Sequence, residues 1–358
     1  VEIREANIEK ARFAAQAFGV ADRIEFVQAD ILDVDPGEFD IVLCLGIFYH
    51  FDRTDTFRFA EKVMAAVRPG GCYVDGTTGG GSHSLEIARR LAGGRLICID
   101  KDDYALTRAA ETLQEVADRV TFVRDDFKHI ADILDRLSIP AIDGMLLDLG
   151  VSSFQLDDAA RGFSYQKDAA LDMRMDRSCG MTAAELVNGL DERALADLIF
   201  RYGEERYARR IAAAIVSARQ RQPIETTLQL AGLVAGAMPA AARREAQHPA
   251  KRTFQALRIA TNDELGILEG SLRAAVERLT PGGRMAVITF HSLEDRIVKS
   301  TFADLAAGCT CPRDFPVCVC GRVPAVRLVN RKPITPGEGE LAANPRSRSA
   351  KLRVAEKL

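Results

Sequence analysis

The sequence predicts an α/β fold in which a mainly parallel sheet carries helices on both faces. One observation is a glycine-rich turn at residues 75–84, between an apolar run that begins at Cys72 and a segment with helical spacing. The other is an apolar run over residues 95–99 that ends on Asp100. Glycines let the main chain approach a ligand, and a carboxylate at the tip of the second strand can bind a ribose diol. These features favour a nucleotide-binding unit, with a tight turn that binds nothing as the simpler alternative.

Further elements follow this unit along the chain. Apolar runs predict later strands at residues 120–124, 144–149 and 284–290. Helical periodicity replaces the strand patterns farther on, and it predicts helices at residues 183–190, 192–202, 207–219 and 227–237. We therefore expect an all-helical domain, residues 157–251, inserted between the fourth and fifth strands. Such an insertion lies beside the carboxyl ends of the strands, where it either recognises substrate or only adds bulk.

The glycine-rich turn differs from the dinucleotide pattern GxGxxG and resembles the first motif of S-adenosylmethionine (SAM) methyltransferases. Residues 1–59 resemble the middle of a class I SAM methyltransferase, with Glu2 and Asp30 as acids that end strands. This segment has no first strand and no glycine loop of its own. We therefore expect residues 1–59 to be a partial methyltransferase-like fusion that binds no SAM by itself.

Composition limits the functional classes. Apolar residues make up 47% and charged residues 28% of the chain, as in soluble globular proteins. No apolar run approaches the roughly 20 residues of a membrane span. Eight cysteines are few for a secreted scaffold of 358 residues, so we expect a cytoplasmic protein without a membrane partner. Residues 321–358 carry 9 basic and 3 acidic side chains, which suits either a polyanionic partner or a solvated tail.

Residues from about 60 to 358 resemble the ribosomal RNA small-subunit methyltransferase H family (RsmH, also called MraW). The segments that carry the resemblance are YVDGT at 73–77, LLDLGVSS at 146–153, QLD at 155–157, RGFS at 161–164, LDMRMD at 171–176, YGEER at 202–206, HPAKRTFQ at 248–255, FHSLEDR at 290–296 and NPRSRS at 344–349.

The resemblance implies a Rossmann-like class I SAM-dependent methyltransferase sheet, formed by residues 60–156 and 252–358. It implies N4-methylation of one cytidine in the decoding region of 16S rRNA, with the small ribosomal subunit as partner and no DNA. Two features depart from the family. Its His-x-Pro-Val segment is missing, and its Gly-Gly-His loop reads Gly81-Ser82-His83 here. A serine fits that loop without strain only if its φ stays negative.

The resemblance also implies which residues bind SAM. The main chain of Gly81, Ser82 and His83 would contact the amino-acid end, and Asp100 would bind the ribose hydroxyls. The remaining cofactor positions are Phe127 for the adenine, Asp148 for the methionine end, and Gln155.

Methylation of an exocyclic amine needs acceptors that hold the N4 hydrogens and an in-line orientation of the reacting atoms. Asp148 together with Ser152 or Ser153 are the candidate acceptors, and no cysteine stands where carbon-5 methylation would need a nucleophile. His291 follows the fifth strand and either lines the substrate pocket or is a hydrogen-bonded structural histidine. Two other functions stay open, namely a DNA amino-methyltransferase, which the absent Pro-Pro-aromatic motif disfavours, and an inactive chain that binds RNA without turnover.

Basic side chains in the predicted helical domain and in the tail are candidates for phosphate contacts, although arginines on helix faces commonly pair with glutamates. The candidates are Arg206, Arg209, Arg210, Lys251, Arg252, Arg346 and Arg348. A separate Cys-x-Cys…Cys-x-Cys pattern is formed by Cys309, Cys311, Cys318 and Cys320. Four such thiols can bind zinc, and free thiols in a surface loop are the alternative.

Overall fold

A single seven-stranded sheet organises the part of the chain that the computed structural model describes, namely residues 70–243, 247–309, 311, 319–337, 340–341 and 344–358. Its strand order is β3-β2-β1-β4-β5-β7-β6. Strands β1 to β5 pair in parallel, whereas β7 is antiparallel to both β5 and β6. The strands are β1 Cys72–Asp75, β2 Arg95–Asp100, β3 Val120–Arg124, β4 Ile142–Asp148, β5 Leu279–Thr289, β6 Val326–Leu328 and β7 Lys351–Lys357. The predicted fusion segment, residues 1–59, lies outside the described residues.

Twelve α-helices accompany the sheet among the described residues. They are α1 Ser82–Arg90, α2 Asp103–Thr112, α3 Ile130–Arg136, α4 Ser153–Asp157, α5 Ala183–Gly189, α6 Glu192–Gly203, α7 Ala208–Arg219, α8 Thr227–Ala237, α9 Ala240–Arg243, α10 Lys251–Asn262, α11 Leu268–Arg278 and α12 Ser292–Leu305. The four helices predicted between residues 183 and 237 are confirmed to within one residue at each end. No described helix is long and apolar enough to span a membrane.

Successive apolar side chains of the central strands point to opposite faces of the sheet, and helices cover both faces. Tyr73 and Leu96 pack with α1 and α2 on one face, whereas their neighbours Val74 and Ile97 pack with α3, α11 and α12 on the other. Since successive side chains of a strand point to opposite faces, a strand that is apolar at every position must be buried on both.

The fifth strand is longer than predicted. It begins at Leu279, but regular pairing with β4 starts only at Arg284, after a register shift between the two strands.

Three parallel strands end on aspartates at the same edge of the sheet. Asp75 ends β1, Asp100 ends β2 and Asp148 ends β4. Because these strands are neighbours and parallel, their carboxyl ends meet at one edge, and three carboxylates are thereby brought close to the glycine-rich turn.

A separate hydrophobic cluster lies in the helices between β4 and β5. Its buried members run from Phe163 to Leu257 and include Ile199 of α6 and Ile211 of α7. Phe254 and Leu257 belong to α10, which therefore packs with this helical layer. The limits of the inserted domain at residues 157 and 251 stay a prediction.

The contact between α6 and α10 leaves no room for a side chain at Gly203. A Cβ atom built there would lie 2.6 Å from the carbonyl oxygen of Arg252. We expect Gly203→Ala to lower the free energy of unfolding by about 1–3 kcal/mol, because the backbone of α10 must shift. Gly236→Ala is the matched control, since nothing lies within 4 Å of its Cβ, and it should raise stability by about 0.5–1 kcal/mol. Urea unfolding measures both, and equal stability of the two variants would contradict the close approach.

Candidate active site

A cleft of about 670 Å³ opens between the carboxyl edge of the sheet and the helical layer. The glycine-rich turn, Asp100 and Asp148 line one side, and Lys251 and Arg258 of α10 line the other. Its volume lies within the roughly 300–1,000 Å³ of small-molecule sites. Of the predicted cofactor positions, Phe127 and Gln155 also border this cleft, whereas Gly81 is not among the residues that line it.

The glycine-rich turn is shaped by its main chain. Gly81 caps α1 with a φ of 82°, in the left-handed region that favours glycine. The N–H of Thr78 donates to the carbonyl of Ile99 at 3.0 Å and so joins the turn to β2. Ser82 is not among the residues with positive φ, so the serine fits the loop as the sequence required. The first turn of α1 therefore starts without strain, and Ser82 and His83 both border the cleft.

Asp100 is held by main-chain donors at the end of β2. Its Oδ2 accepts from the N–H of Gly79 and its Oδ1 from the N–H of Asp102, both at 2.8 Å. These bonds fix the orientation of the carboxylate at the cleft wall. Burial raises the pKa of Asp100 to about 6, although the two N–H groups oppose the shift. Its charge is therefore sensitive to pH just below neutrality.

Asp148 lies between the glycine-rich turn and α1. Its N–H donates to the hydroxyl of Thr77 at 2.6 Å, and its Oδ2 lies 3.7 Å from Nδ1 of His83. Beneath it, buried Asp75 accepts from the hydroxyl of Ser84 at 2.6 Å. Burial raises the pKa of Asp75, and the Ser84 bond opposes this shift. Asp75 thus supports the turn from below, whereas Asp148 faces the cleft.

The turn after β4 is connected to the turn after β2 by buried polar groups. Ser152 caps α4 by accepting from the N–H of Gln155 at 3.2 Å, and the Gln155 Oε1 accepts from the Ser152 N–H at 3.0 Å. Gln155 Nε2 donates to Asp102 Oδ2 at 2.8 Å, and Arg161 Nη1 donates to the same oxygen at 2.7 Å. The amide of Gln155 is therefore engaged at both ends by protein groups. Neither Asp102 nor its contact with Arg161 is predicted from the sequence.

Phe127 and Ser153 also border the cleft. Phe127 begins a short 3-10 helix after β3, at the position expected for an aromatic residue beside the adenine. Ser153 is the first residue of α4, next to Ser152. Except for Gly81, the predicted cofactor and acceptor residues thus border one cleft, while their individual roles remain predictions.

A second buried polar cluster borders the same cleft. His291 caps α12, and its Nε2 lies 3.0 Å from Oε1 of Glu294. Burial alone would raise the pKa of Glu294, but its interactions with His291 and Arg258 bring that pKa below the usual range. Arg258 binds both carboxylate oxygens of Glu264 at 2.9 Å. The two glutamates thus already have a cationic neighbour and protein donors, which does not favour a metal ion here.

His291 satisfies both interpretations that the sequence left open, since it is hydrogen-bonded and also lines the cleft. Arg258 and Glu264 were missed. Arg258 lies four residues after buried Phe254 and hence on the buried face of α10, which is a signal that the sequence offered.

All seven candidate RNA-binding residues are exposed. Lys251 and Arg346 both border the cleft, the first on α10 and the second in the 3-10 helix Pro345–Ser349. Arg346 also binds Asp157 at 2.6 Å in an exposed pair, which contributes little to stability. Arg252 donates to the carbonyl of Glu204 at 3.1 Å. The others, Arg206, Arg209, Arg210 and Arg348, lie farther from the cleft wall.

Comparison with known sequences decides the family. The sequence profile of the MraW methylase family matches residues 56–358. The chain belongs to the MraW methylase family. It is therefore a SAM-dependent methyltransferase, as the resemblance of residues 60–358 predicted. A second profile, described as a methyltransferase domain, matches residues 1–71.

Several relatives of this methylase carry the name ribosomal RNA small subunit methyltransferase H. That of Symbiobacterium thermophilum is 59% identical and covers 82% of this chain and 92% of its own. That of Pelobacter propionicus is 58% identical and covers 81% and 94%. Among solved structures, an rRNA methylase from Streptococcus thermophilus aligns with a TM-score of 0.38 at 11% identity, over 84% of this chain and 95% of that one.

The raised pKa of Asp100 leads to a pH dependence of SAM binding. An ionised carboxylate accepts from both ribose hydroxyls, whereas a protonated one loses the charge and becomes a donor. SAM affinity should therefore fall as pH drops through about 6 and be about tenfold weaker at pH 5 than at pH 7. Isothermal titration calorimetry across this range measures the effect.

Two variants give the controls for this titration. Asp100→Asn should weaken SAM binding at pH 7 by about 1.5–3 kcal/mol and remove most of the pH dependence. Asp103→Asn, an exposed neighbour outside the cleft lining, should keep both the affinity and its pH profile. An unchanged profile in Asp100→Asn would contradict the role given to Asp100.

Proposed function

We propose that this methylase transfers the methyl group of SAM to the exocyclic N4 of a cytidine in the decoding region of 16S rRNA, within the small ribosomal subunit. The observation that supports this most is that Asp148 and the Ser152–Ser153 turn border the same cleft as Asp100. The proposed acceptors for the amine hydrogens and the proposed ribose-binding carboxylate therefore line the same cleft. The names of the relatives, which specify small-subunit ribosomal RNA, support the same substrate.

The cofactor side of the cleft fits SAM. A Cβ at Gly80 would lie 2.4 Å from Cε2 of Phe154, so this part of the turn stays narrow and leaves main chain at the surface. We assign the ribose to Asp100, the adenine to Phe127, and the amino-acid end to the main chain of Gly81, Ser82 and His83. The N-terminus of α1 favours a carboxylate there, because its first N–H groups have no partners within the helix.

When bound, SAM supplies an electrophilic methyl group on its sulfonium. The nitrogen N4 gains that methyl group and loses one proton, so the protein must hold the N4 hydrogens and accept a proton. We assign these tasks to Asp148 as the charged acceptor and to the hydroxyl of Ser152 or Ser153 as the second. His83, 3.7 Å from Asp148, orients its carboxylate. Gln155 contributes by fixing Ser152, because its Oε1 accepts a hydrogen bond from the N–H of Ser152.

None of the described residues that line the cleft is a cysteine. Methylation at carbon 5 of cytosine requires a cysteine nucleophile, which these residues do not provide. Cys98 is buried in the core, and burial raises the pKa of its thiol to about 12, which disfavours the thiolate. The exocyclic amine therefore suits this site better than carbon 5.

Recognition of the RNA is assigned to the inserted helical domain, residues 157–251, and to the basic tail. Lys251 and Arg346 flank the cleft and would bind phosphates on either side of a cytidine turned into it. Exposed arginines on α7 extend this basic surface. Such contacts read the path of the backbone and not the bases, so base identity depends on the cleft itself.

The product of the reaction tests this proposal. Incubation with labelled SAM and small subunits from a strain that lacks the modification should yield N4-methylcytidine in 16S rRNA, measured by nucleoside mass spectrometry. Short naked RNA should be a poor substrate, and activity should fall steeply with salt because phosphate contacts release counterions.

A variant of the proposed acceptor and a surface control variant test the role of Asp148 in this reaction. Asp148→Asn should reduce the rate about 100-fold or more, whereas exposed Asp118→Asn should not change it. Finding 5-methylcytidine, 2′-O-methylcytidine or methylated DNA would refute the proposed chemistry. SAM binding without any methylated product would favour the inactive RNA-binding chain.

A further inference from the structure

Three cysteines outside the cleft converge at the surface after α12. The Sγ atoms of Cys309, Cys311 and Cys320 all lie within 4.8 Å of one another. The Sγ atoms of Cys309 and Cys320 are 3.7 Å apart. Thiolates bind zinc at about 2.3 Å in a tetrahedron, which places any two sulfurs about 3.8 Å apart. The separation of Cys309 and Cys320 therefore matches that of two thiolates on one zinc ion, and Cys311 lies close enough to become a third ligand.

The two halves of this loop are held together independently of the thiols. The N–H of Ala325 donates to the carbonyl of Leu305 at 2.8 Å, which closes the loop at its base. Arg322, two residues after Cys320, donates to Oδ1 of Asp304 at 2.6 Å, and Asp304 also binds Arg273 at 2.7 Å. Because these contacts already hold the ends of the loop together, folding of the chain covers most of the loop-closure entropy. Zinc binding itself then has a smaller entropic cost.

One main-chain group also favours a thiolate. The N–H of Val319 donates to Sγ of Cys311 at 3.4 Å. Hydrogen bonds from the protein to ligating atoms orient them and stabilise the deprotonated form that a metal needs.

We propose that Cys309, Cys311 and Cys320 bind one Zn²⁺ ion as thiolates. Binding releases three thiol protons and changes no oxidation state. None of the three residues lines the cleft, so the ion serves to fasten the crossing from α12 to β6 and takes no part in methyl transfer. Cys318, the remaining cysteine of the sequence pattern, lies outside the described residues and is not part of the proposed site. A tetrahedral ion leaves its fourth position for another ligand.

The experiment uses the full chain, purified under reducing conditions in buffer free of added metal. Inductively coupled plasma mass spectrometry should find about one zinc per chain. Replacement by Co²⁺ should give a thiolate-to-cobalt charge-transfer band and the visible absorption of tetrahedral cobalt. Cys309→Ser and Cys320→Ser should lose the zinc and the cobalt spectrum, and SAM titration of each variant shows that the cleft is still folded.

Matched controls decide between the remaining outcomes. Cys179→Ser replaces an exposed cysteine outside the cluster and should keep the full metal content. Zinc retained in both Cys309→Ser and Cys320→Ser would overturn the proposal. So would freely titrating thiols without bound metal, or a disulfide between Cys309 and Cys320 in the purified protein.

Discussion

One buried carboxylate connects the parts of the cleft. Asp102 is about 5% exposed and accepts from Gln155 and from the equally buried Arg161. Arg161 also donates to the carbonyls of Arg174 and Met175 at 3.0 and 2.9 Å. A buried charge without its partner costs about 3–5 kcal/mol, so these groups must stay together. The turn after β2, the turn after β4 and the entry to the helical layer are thereby fixed relative to one another.

This constraint explains how a site can be built from distant parts of the sequence. Asp100 and Phe127 belong to the first half of the sheet, Lys251 to α10, and Arg346 to the tail. The carboxyl ends of the strands and the turns that follow them line one part of the cleft, and residues of the helical layer and of the tail line the rest. The network at Asp102 connects the turn after β2, which follows Asp100, to the turn after β4, which holds the proposed acceptors, and in-line transfer would depend on that relative position.

The sequence was sufficient for the elements but not for the long-range polar contacts. Strands that are apolar at successive positions, acids at strand ends and the spacing of apolar residues in helices are all local signals. These signals predicted β1 to β4 and the helices between residues 183 and 237. The partners of Asp102 lie 53 and 59 residues away, and no local pattern gives such a pairing. Gln155 shows the same limit, since its position in a motif indicated the site whereas its bonds to Ser152 and Asp102 became visible only in three dimensions.

The most direct test of the account is the crystal structure of the full chain with S-adenosylhomocysteine, the demethylated form of the cofactor. We expect the ribose hydroxyls to bind Asp100, the adenine to lie beside Phe127 and the sulfur to be directed toward Asp148. It also predicts that Asp102 keeps its bonds to Gln155 and Arg161 in the complex. A ligand bound elsewhere, for example within residues 1–71, or a ribose that does not contact Asp100, would contradict it.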